Sequence, residues 1–508
     1  MCSSLPVEIL QKIFSYLNVS SLHSCLLVNR CWCVSVIPLL WREPFDSFDY
    51  HKVQIWYKSA NLIRTYVSCL PDEIKNSLMN ENVILPHAAL IKPTFEYSSF
   101  LQCLDYILLF QATGIWIAEN ERVTPRKIRK ITFRHYLVAE ELCKLFFRSS
   151  NLRYLKYDKT HDLPNSSDVE YIPLRHLPEA ETCLSRLEKF CVMGSVPNVI
   201  ISTIAQVAHN LKEIEIETLG DNDEILATLI GSQRNLRSLI IYAEDFLPTV
   251  AKALKHRVSN LRSVKLDWEL SLPLDLFVDS VDLEKFSVHQ YSSIARRETF
   301  EAFSNAEFRK LRKLHLITPR LYLDQMSKLI RNTGGSLRDL NIYFEKVNGI
   351  EHCKEFIHTI GKACPNIQKL HIFVPDEAIP LLPSLLMSCK QLRILEFLNG
   401  WLNTLHAFDV SKYLPEMGKV LPPKLSSLTM SGDWVLTAEA FRKFLEYCEI
   451  RLESGRMINF NFGRELTIEH VVIVEEYGAK GVLNVHPSTI LGKNLKLFQR
   501  RIKQWNNI

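Results

Sequence analysis

The sequence contains no G-x-G-x-x-G, no P-loop, no H-E-x-x-H and no G-x-S-x-G. The common phosphate cradles, zinc-protease helices and nucleophile elbows are therefore excluded. There is no C-x-x-C either. The 13 cysteines are odd in number and scattered, the closest pair being Cys31 and Cys33, a usage that reads as reduced, buried thiols in a reducing compartment. A signal peptide is not expected, because no basic segment opens the chain and Glu8 falls where such a peptide is apolar. One run of 20 residues, Val192 to Leu211, is free of Asp, Glu, Lys and Arg, but Gly194, Pro197, Asn198, Gln206, His209 and Asn210 make it too polar to span a bilayer. Charge is nearly balanced: 61 basic against 56 acidic residues leave +5 over 508 positions, which is no argument for nucleic acid. With 47% apolar and 23% charged residues, the expectation is a folded cytoplasmic or nuclear protein, not an enzyme, with no cofactor, metal, nucleic acid or membrane as partner.

What is present is a repeat. The pattern apolar-x-x-apolar-x-apolar occurs as IRKITF (Ile128 to Phe133), LRYLKY (Leu152 to Tyr157), LEKFCV (Leu187 to Val192), LKEIEI (Leu211 to Ile216) and LRSLII (Leu236 to Ile241). It continues as LRSVKL (Leu261 to Leu266), LEKFSV (Leu283 to Val288), LRKLHL (Leu311 to Leu316), LRDLNI (Leu337 to Ile342), IQKLHI (Ile367 to Ile372), LRILEF (Leu392 to Phe397) and LSSLTM (Leu425 to Met430), with a weaker MINFNF (Met457 to Phe462). Middle apolar positions recur every 22 to 35 residues, 27 on average, the period of leucine-rich repeats. The last two apolar positions alternate with polar ones, as in a short strand with one buried face. Helix-like segments such as Asp221 to Asn235 and Glu351 to Asn366 lie between them. No strand–helix unit can bury its apolar face alone, so the units must stack into an α/β solenoid.

The repeat IGKACPNIQKLHI (Ile360 to Ile372) resembles the cysteine-containing leucine-rich repeats of F-box proteins, in which a helix ends in Cys-Pro-Asn and a strand follows at once. MSCKQLRILEF (Met387 to Phe397) shares the layout. The beginning of the chain resembles the F-box itself. Pro6 suits a first helical turn, and Ile9, Leu10, Ile13, Phe14 and Leu17 recur at helical period. Leu5, Pro6, Glu8, Ile9, Leu10, Ile13, Phe14, Tyr16 and Leu17 match the first helix of that family; Leu22, Val28, Arg30 and Trp32 match the second and its end; Leu40, Trp41 and Arg42 match the close. Ser21 stands where the family usually has the capping aspartate and is expected to cap in its place. The resemblance implies an α+β protein in two parts, a small all-α F-box followed by a leucine-rich-repeat horseshoe of about 12–14 repeats.

The expected boundaries are 1–45 for the F-box, 46–124 for a helical linker and cap, 125–466 for the solenoid and 467–508 for a C-terminal cap. In the linker, Ile55 to Pro71 and Phe100 to Ala112 read as helices; in the tail, Ile468 to Tyr477 reads as a helix and Gly481 to Val485 as a last strand. The implied role is that of a non-catalytic substrate receptor. Leu5, Pro6, Ile9, Leu10, Ile13, Phe14, Leu17, Leu22, Val28, Trp32 and Trp41 would bind the adaptor Skp1, through it a cullin and a RING subunit, and the repeats would hold a protein target. A stand-alone scaffold that pairs with Skp1 and directs no ubiquitination is the other reading.

Among the repeats, the residue after the first apolar position is often cationic: Arg129, Arg153, Lys212, Arg237, Arg262, Arg312, Arg338 and Arg393. Such a row could receive an anionic or phosphorylated target, or its heads could simply pair with acids such as Glu213, Asp339 and Glu396. Outward strand positions, among them Tyr154, Ile240, Lys265, Tyr343, Phe373 and Glu396, are the remaining candidates for target contact. Cys353, His358, Cys364 and His371 are not expected to converge on zinc. The acidic Asp221, Asp223 and Glu224 read as a helix start, and Arg126, Lys127, Arg129 and Lys130 as a solvated strand face.

Overall fold

The computed structural model describes residues 5–45, 54–121, 133–159, 171–218, 222–290, 297–346, 350–399, 408–432, 434–462 and 467–484. Met1–Ile241 with Pro248–Leu254 forms one compact unit, and Tyr242–Leu247 with Lys255–Ile508 a second.

In the first unit three short helices come first: α1 (Val7–Phe14), α2 (Val19–Leu26) and α3 (Arg30–Leu40). Pro6 is the N-cap of α1, and its carbonyl accepts from the Ile9 and Leu10 N–H groups at 3.0 and 3.1 Å. A proline there gives up no intrahelical donor. The second helix starts earlier than expected. Asn18, not Ser21, is its N-cap: the Asn18 side-chain oxygen accepts from the Ser21 N–H at 2.8 Å, because a cap acceptor reaches the third helical amide. Asn29 serves α3 in the same way, accepting from the Trp32 N–H at 2.9 Å. Leu10, Phe14, Leu22, Cys25 and Val36 form the module's core, with Leu26, Trp32, Leu39 and Leu40 packed against it.

Three helices follow, α4 (Gln54–Ser68), α5 (Asp72–Asn80) and α6 (His87–Leu90). The stretch Phe100 to Ala112, expected to be helical throughout, is a strand and then a helix: β1 (Cys103–Asp105) and α7 (Tyr106–Asn120). Pairing outweighs local pattern here, since β1 lies parallel to β2 (Tyr154–Asp158) and Asp105 then caps α7 through the Leu108 N–H at 3.1 Å. The sheet thus begins within the stretch expected to be linker. Of the first expected repeat, Ile128 to Phe133, only Phe133 lies within the described residues, and it opens α8 (Phe133–Ser149). Strands β3 (Lys189–Met193), β4 (Glu213–Thr218) and β5 (Ser238–Ala243) extend the sheet in the order β1-β2-β3-β4-β5.

The second unit has the same build. Its strands are β6 (Ser263–Trp268), β7 (Lys285–His289), β8 (Lys313–Arg320), β9 (Asp339–Lys346), β10 (Lys369–Phe373), β11 (Ile394–Asn399), β12 (Phe408–Asp409), β13 (Ser427–Gly432), β14 (Trp434–Val435), β15 (Ile458–Phe462) and β16 (Leu483–Asn484). All but β12 and β14, which pair with each other, lie side by side in chain order in one parallel sheet. Register brings equivalent leucines together: Leu314, Leu340, Leu370, Leu395, Leu428 and Phe460 are successive neighbours, all buried. Helices such as Leu323–Asn332, Ile350–Ala363 and Leu382–Ser388 return the chain between strands. This is a leucine-rich-repeat solenoid, in which each unit's apolar strand face is covered by its own helix and its neighbours. The Cys-Pro-Asn turn follows the expected layout: Cys364 is buried at the helix end, and the Asn366 amide donates to the Gly335 carbonyl of the preceding repeat at 3.1 Å. At the end of the described chain, Ile468–Ala479 is helical and β16 closes the sheet.

Candidate functional site

The three-helix module divides its apolar residues between two faces of α1. Leu10 and Phe14 are 5% and 2% exposed, whereas Ile9 and Ile13, one residue earlier in each case, are 48% and 47% exposed. With a core of only five buried side chains, the module has room for one face of each helix. Of the residues expected to contact a partner, Leu10, Phe14 and Leu22 are spent on that core. Leu5, Ile9, Ile13, Leu17 and Val28 remain exposed, and so does Pro6. Ile9 and Ile13, four apart on α1, form an apolar stripe, and Leu5 is exposed just before the helix. Trp32 lies against the core, its ring meeting Phe14 edge-on at 4.9 Å.

Trp41 has another task. Its ring packs on Tyr66 at 5.4 Å and Tyr97 at 4.2 Å, while the carbonyl of Arg42 accepts from the Gln102 and Cys103 N–H groups at 2.9 and 3.1 Å. The last residues of the module therefore tie it to the first strand of its unit. Sequence reasoning missed Leu27, the barest of the described large apolar residues at 89% exposed, together with Val19 and Val34. A signal existed: in the run Leu26-Leu27-Val28, successive residues at a helix end point 100° apart, so all three cannot face one small core.

The cationic row lies at the edge of the sheet where the strands begin, beside the outward strand face. Arg129 is outside the described residues, as are Arg126, Lys127 and Lys130. Each of the other seven precedes its strand by one residue, and backbone hydrogen bonds keep the row in line. In the first unit Arg153 N–H donates to Gln102, Glu188 to Arg153, Lys212 to Glu188 and Arg237 to Lys212, at 2.7–2.8 Å. In the second, Glu284 donates to Arg262, Arg312 to Glu284, Arg338 to Arg312, Gln368 to Arg338 and Arg393 to Gln368, each at 2.8 Å.

Acids within the row itself decide which cations are neutralised. Glu188 accepts from Lys212 at 2.7 Å and from Arg153, contacts that hold its carboxyl below the usual range. Glu284 lies 3.6 Å from Arg262. The acids expected as partners pair elsewhere, because they sit further along the strands and meet side chains of the strand face: Glu213 with Lys189 at 3.2 Å, Asp339 with His315 at 2.9 Å and Glu396 with His371 at 2.9 Å. Among the described residues, Arg237, Arg312, Arg338 and Arg393 make no ion pair.

Cys353 and Cys364 are buried, which pushes their thiols up to about 11 and about 12, and His371 is turned to Glu396. Among the described residues no three His, Cys, Asp or Glu side chains are placed to share a metal ion. Asp223 caps the following helix, accepting from the Thr249 and Val250 N–H groups at 2.8 Å each; Asp221 is outside the described residues. No described helix is long and apolar enough to cross a membrane.

Residues 2–47 match the family model described as F-box-like. The N-terminal module is an F-box-like domain. Its match spans the three helices and the Trp41–Arg42 joint and stops before α4, so the rest of the chain is characterised by its repeats. No curated protein matches the sequence. Among solved structures, an internalin (InlF) from Listeria monocytogenes is similar at 12% identity and a TM-score of 0.33, over 58% of this chain and 77% of that one.

Proposed function

We propose that this chain is the substrate-recognition subunit of a Skp1–cullin–F-box ubiquitin ligase. The F-box-like domain binds a Skp1-like adaptor, the repeats hold a protein target, and the ubiquitin transfer is performed by other subunits. The observation that carries the reading is the bare apolar pair Ile9 and Ile13, with Leu5 exposed just before their helix, on a domain whose small core is formed by other side chains. A contiguous exposed apolar surface on a helix marks a protein-interaction site. The joint at Trp41 and Arg42 supports the same reading, since it fixes the domain to the first unit and lets a docked adaptor hold the strands in place.

The test is co-purification of the tagged full chain with Skp1, a cullin and a RING subunit. Capture of all three is expected. Capture of Skp1 alone would replace the receptor by the scaffold reading, and no Skp1 at all would remove both.

A further inference from the structure

Acids on the strand face of the second unit are each engaged: Asp267 with Lys265 at 2.6 Å, Asp339 with His315 and Glu396 with His371 at 2.9 Å. At the strand-entry edge it is cations that lack partners. Arg312 and Arg338 are consecutive members of the row, and neither makes an ion pair among the described residues. Beside them opens a cleft of about 230 Å³, lined also by Arg309, Lys310, Ser336 and Asn366, with Glu284 as its one carboxylate. Four cations thus face one acid. Three of these charges are partly engaged: Glu284 with Arg262 at 3.6 Å, Lys310 with Asp282 at 2.5 Å and Arg309 with Glu307 at 3.3 Å. Gly334 lies beside the Arg309 side chain with φ +60°, a backbone conformation that favours glycine.

We infer that this cleft binds a phosphate monoester carried by the protein target. Two unpaired guanidiniums on adjacent strands stand about 5 Å apart at their backbones, a spacing at which two planar forks can donate to different oxygens of one tetrahedral anion. A phosphate monoester brings a charge of about −1.5 to −2, closer to the surplus of the cleft than the single charge of a carboxylate. The other unpaired members of the row lack this arrangement. Arg393 stands between Gln368 and Ser426, and the neighbour of Arg237 in its own unit is Lys212, already held by Glu188. Placing the phosphate on a protein rests on the receptor reading; the anion site rests on the cleft alone.

Calorimetric titration of the full chain at fixed ionic strength tests this with two probes, inorganic phosphate and a phosphoserine peptide with neutral flanks, the unphosphorylated peptide serving as blank. The phosphopeptide is expected to bind saturably at one site and the blank not at all. Arg312→Glu with Arg338→Glu should weaken binding about a hundredfold, two charge-assisted contacts being lost, while Arg393→Glu leaves it unchanged. Arg312→Lys with Arg338→Lys, which keeps charge but removes the forks, should cost about tenfold; this milder pair decides the matter if the glutamate pair does not fold. Absence of saturable phosphate binding, or full affinity in the substituted chains, overturns the site. Binding of inorganic phosphate with exclusion of the phosphopeptide overturns its assignment to a protein. Skp1 capture is read on the same preparations: its failure in the parent chain sinks the receptor reading without touching the titration, and its success beside a null titration sinks the cleft alone.

Discussion

Replacing Ile9 and Ile13 together by aspartate separates docking from folding. Both side chains are about half exposed, so a partner that covers them removes the remaining half from water, worth about 1 kcal/mol each when full burial of an isoleucine is worth roughly 1.5–3 kcal/mol. Each unpaired carboxylate enclosed in the interface costs about 3 kcal/mol more. The sum over both positions, about 8 kcal/mol, is a loss of affinity far beyond a thousandfold. The fold should hardly respond. Ile9 is the third residue of α1, where a negative charge suits the helix dipole, and Ile13 is next to last, where it opposes the dipole by about 0.5 kcal/mol. The control is the inward pair: Leu10→Asp with Phe14→Asp places two charges in the five-residue core and should unfold the module, visible as lost helical circular dichroism. Purified Skp1 and biolayer interferometry give the affinity. If the Ile9/Ile13 variant is folded and binds Skp1 within threefold of the parent, the stripe is not the docking surface.

Two further predictions concern stability. Gln233 is fully buried; its side-chain oxygen accepts from the Leu211 N–H at 2.9 Å, and its amide donates to the carbonyls of Ala208 and Leu229 at 2.8 and 2.9 Å. Gln233→Leu strips buried backbone groups of partners and should destabilise by about 2–4 kcal/mol in urea unfolding; a change below about 1 kcal/mol would show that the bridge between those repeats is dispensable. Burial pushes the Asp105 carboxyl up to about 7, against the pull of Lys156 and the Leu108 N–H, while its value in the unfolded chain is about 3.9. A raised carboxyl stabilises fully below the unfolded value, and that contribution is lost as pH rises through the folded one. Between pH 6 and 8 the parent should therefore lose about 1 kcal/mol that Asp105→Asn does not lose, and parallel pH profiles for the two chains would refute the assignment.

The strands were legible because each leucine of the repeat is constrained twice, by alternation within its strand and by identical neighbours on either side. Twelve of the thirteen pattern matches are strands at the expected places, from Tyr154–Asp158 to Ile458–Phe462, and the thirteenth falls largely outside the described residues. β1 was illegible for the opposite reason. Cys103–Asp105 runs straight into the apolar Tyr106-Ile107-Leu108-Leu109-Phe110, which reads as one helix until β2 is known to lie alongside. In α1 the pattern Ile9, Leu10, Ile13, Phe14 shows an apolar band broader than one face and cannot say which edge turns inward; packing against Leu22, Cys25 and Val36 decides it. The cationic row was visible as a row, but which of its members are free depends on Glu188 and Glu284 occupying the same position in other repeats. Charge at one repeat position has meaning only beside the charge at the next.

That dependence on neighbours also explains how the F-box-like domain can expose a stripe and remain in place. Helices of 8, 8 and 11 residues around five buried side chains make a weak core by themselves. The missing support comes from beyond the domain, through the Trp41 ring on Tyr66 and Tyr97 and the Arg42 carbonyl on the backbone before β1. Those contacts use the end of the domain, whereas the stripe uses its beginning, and no residue serves both. Covering Leu5, Ile9 and Ile13 therefore requires no contact at the joint to be broken, and the affinity gained at the stripe is not diminished by strain at the joint.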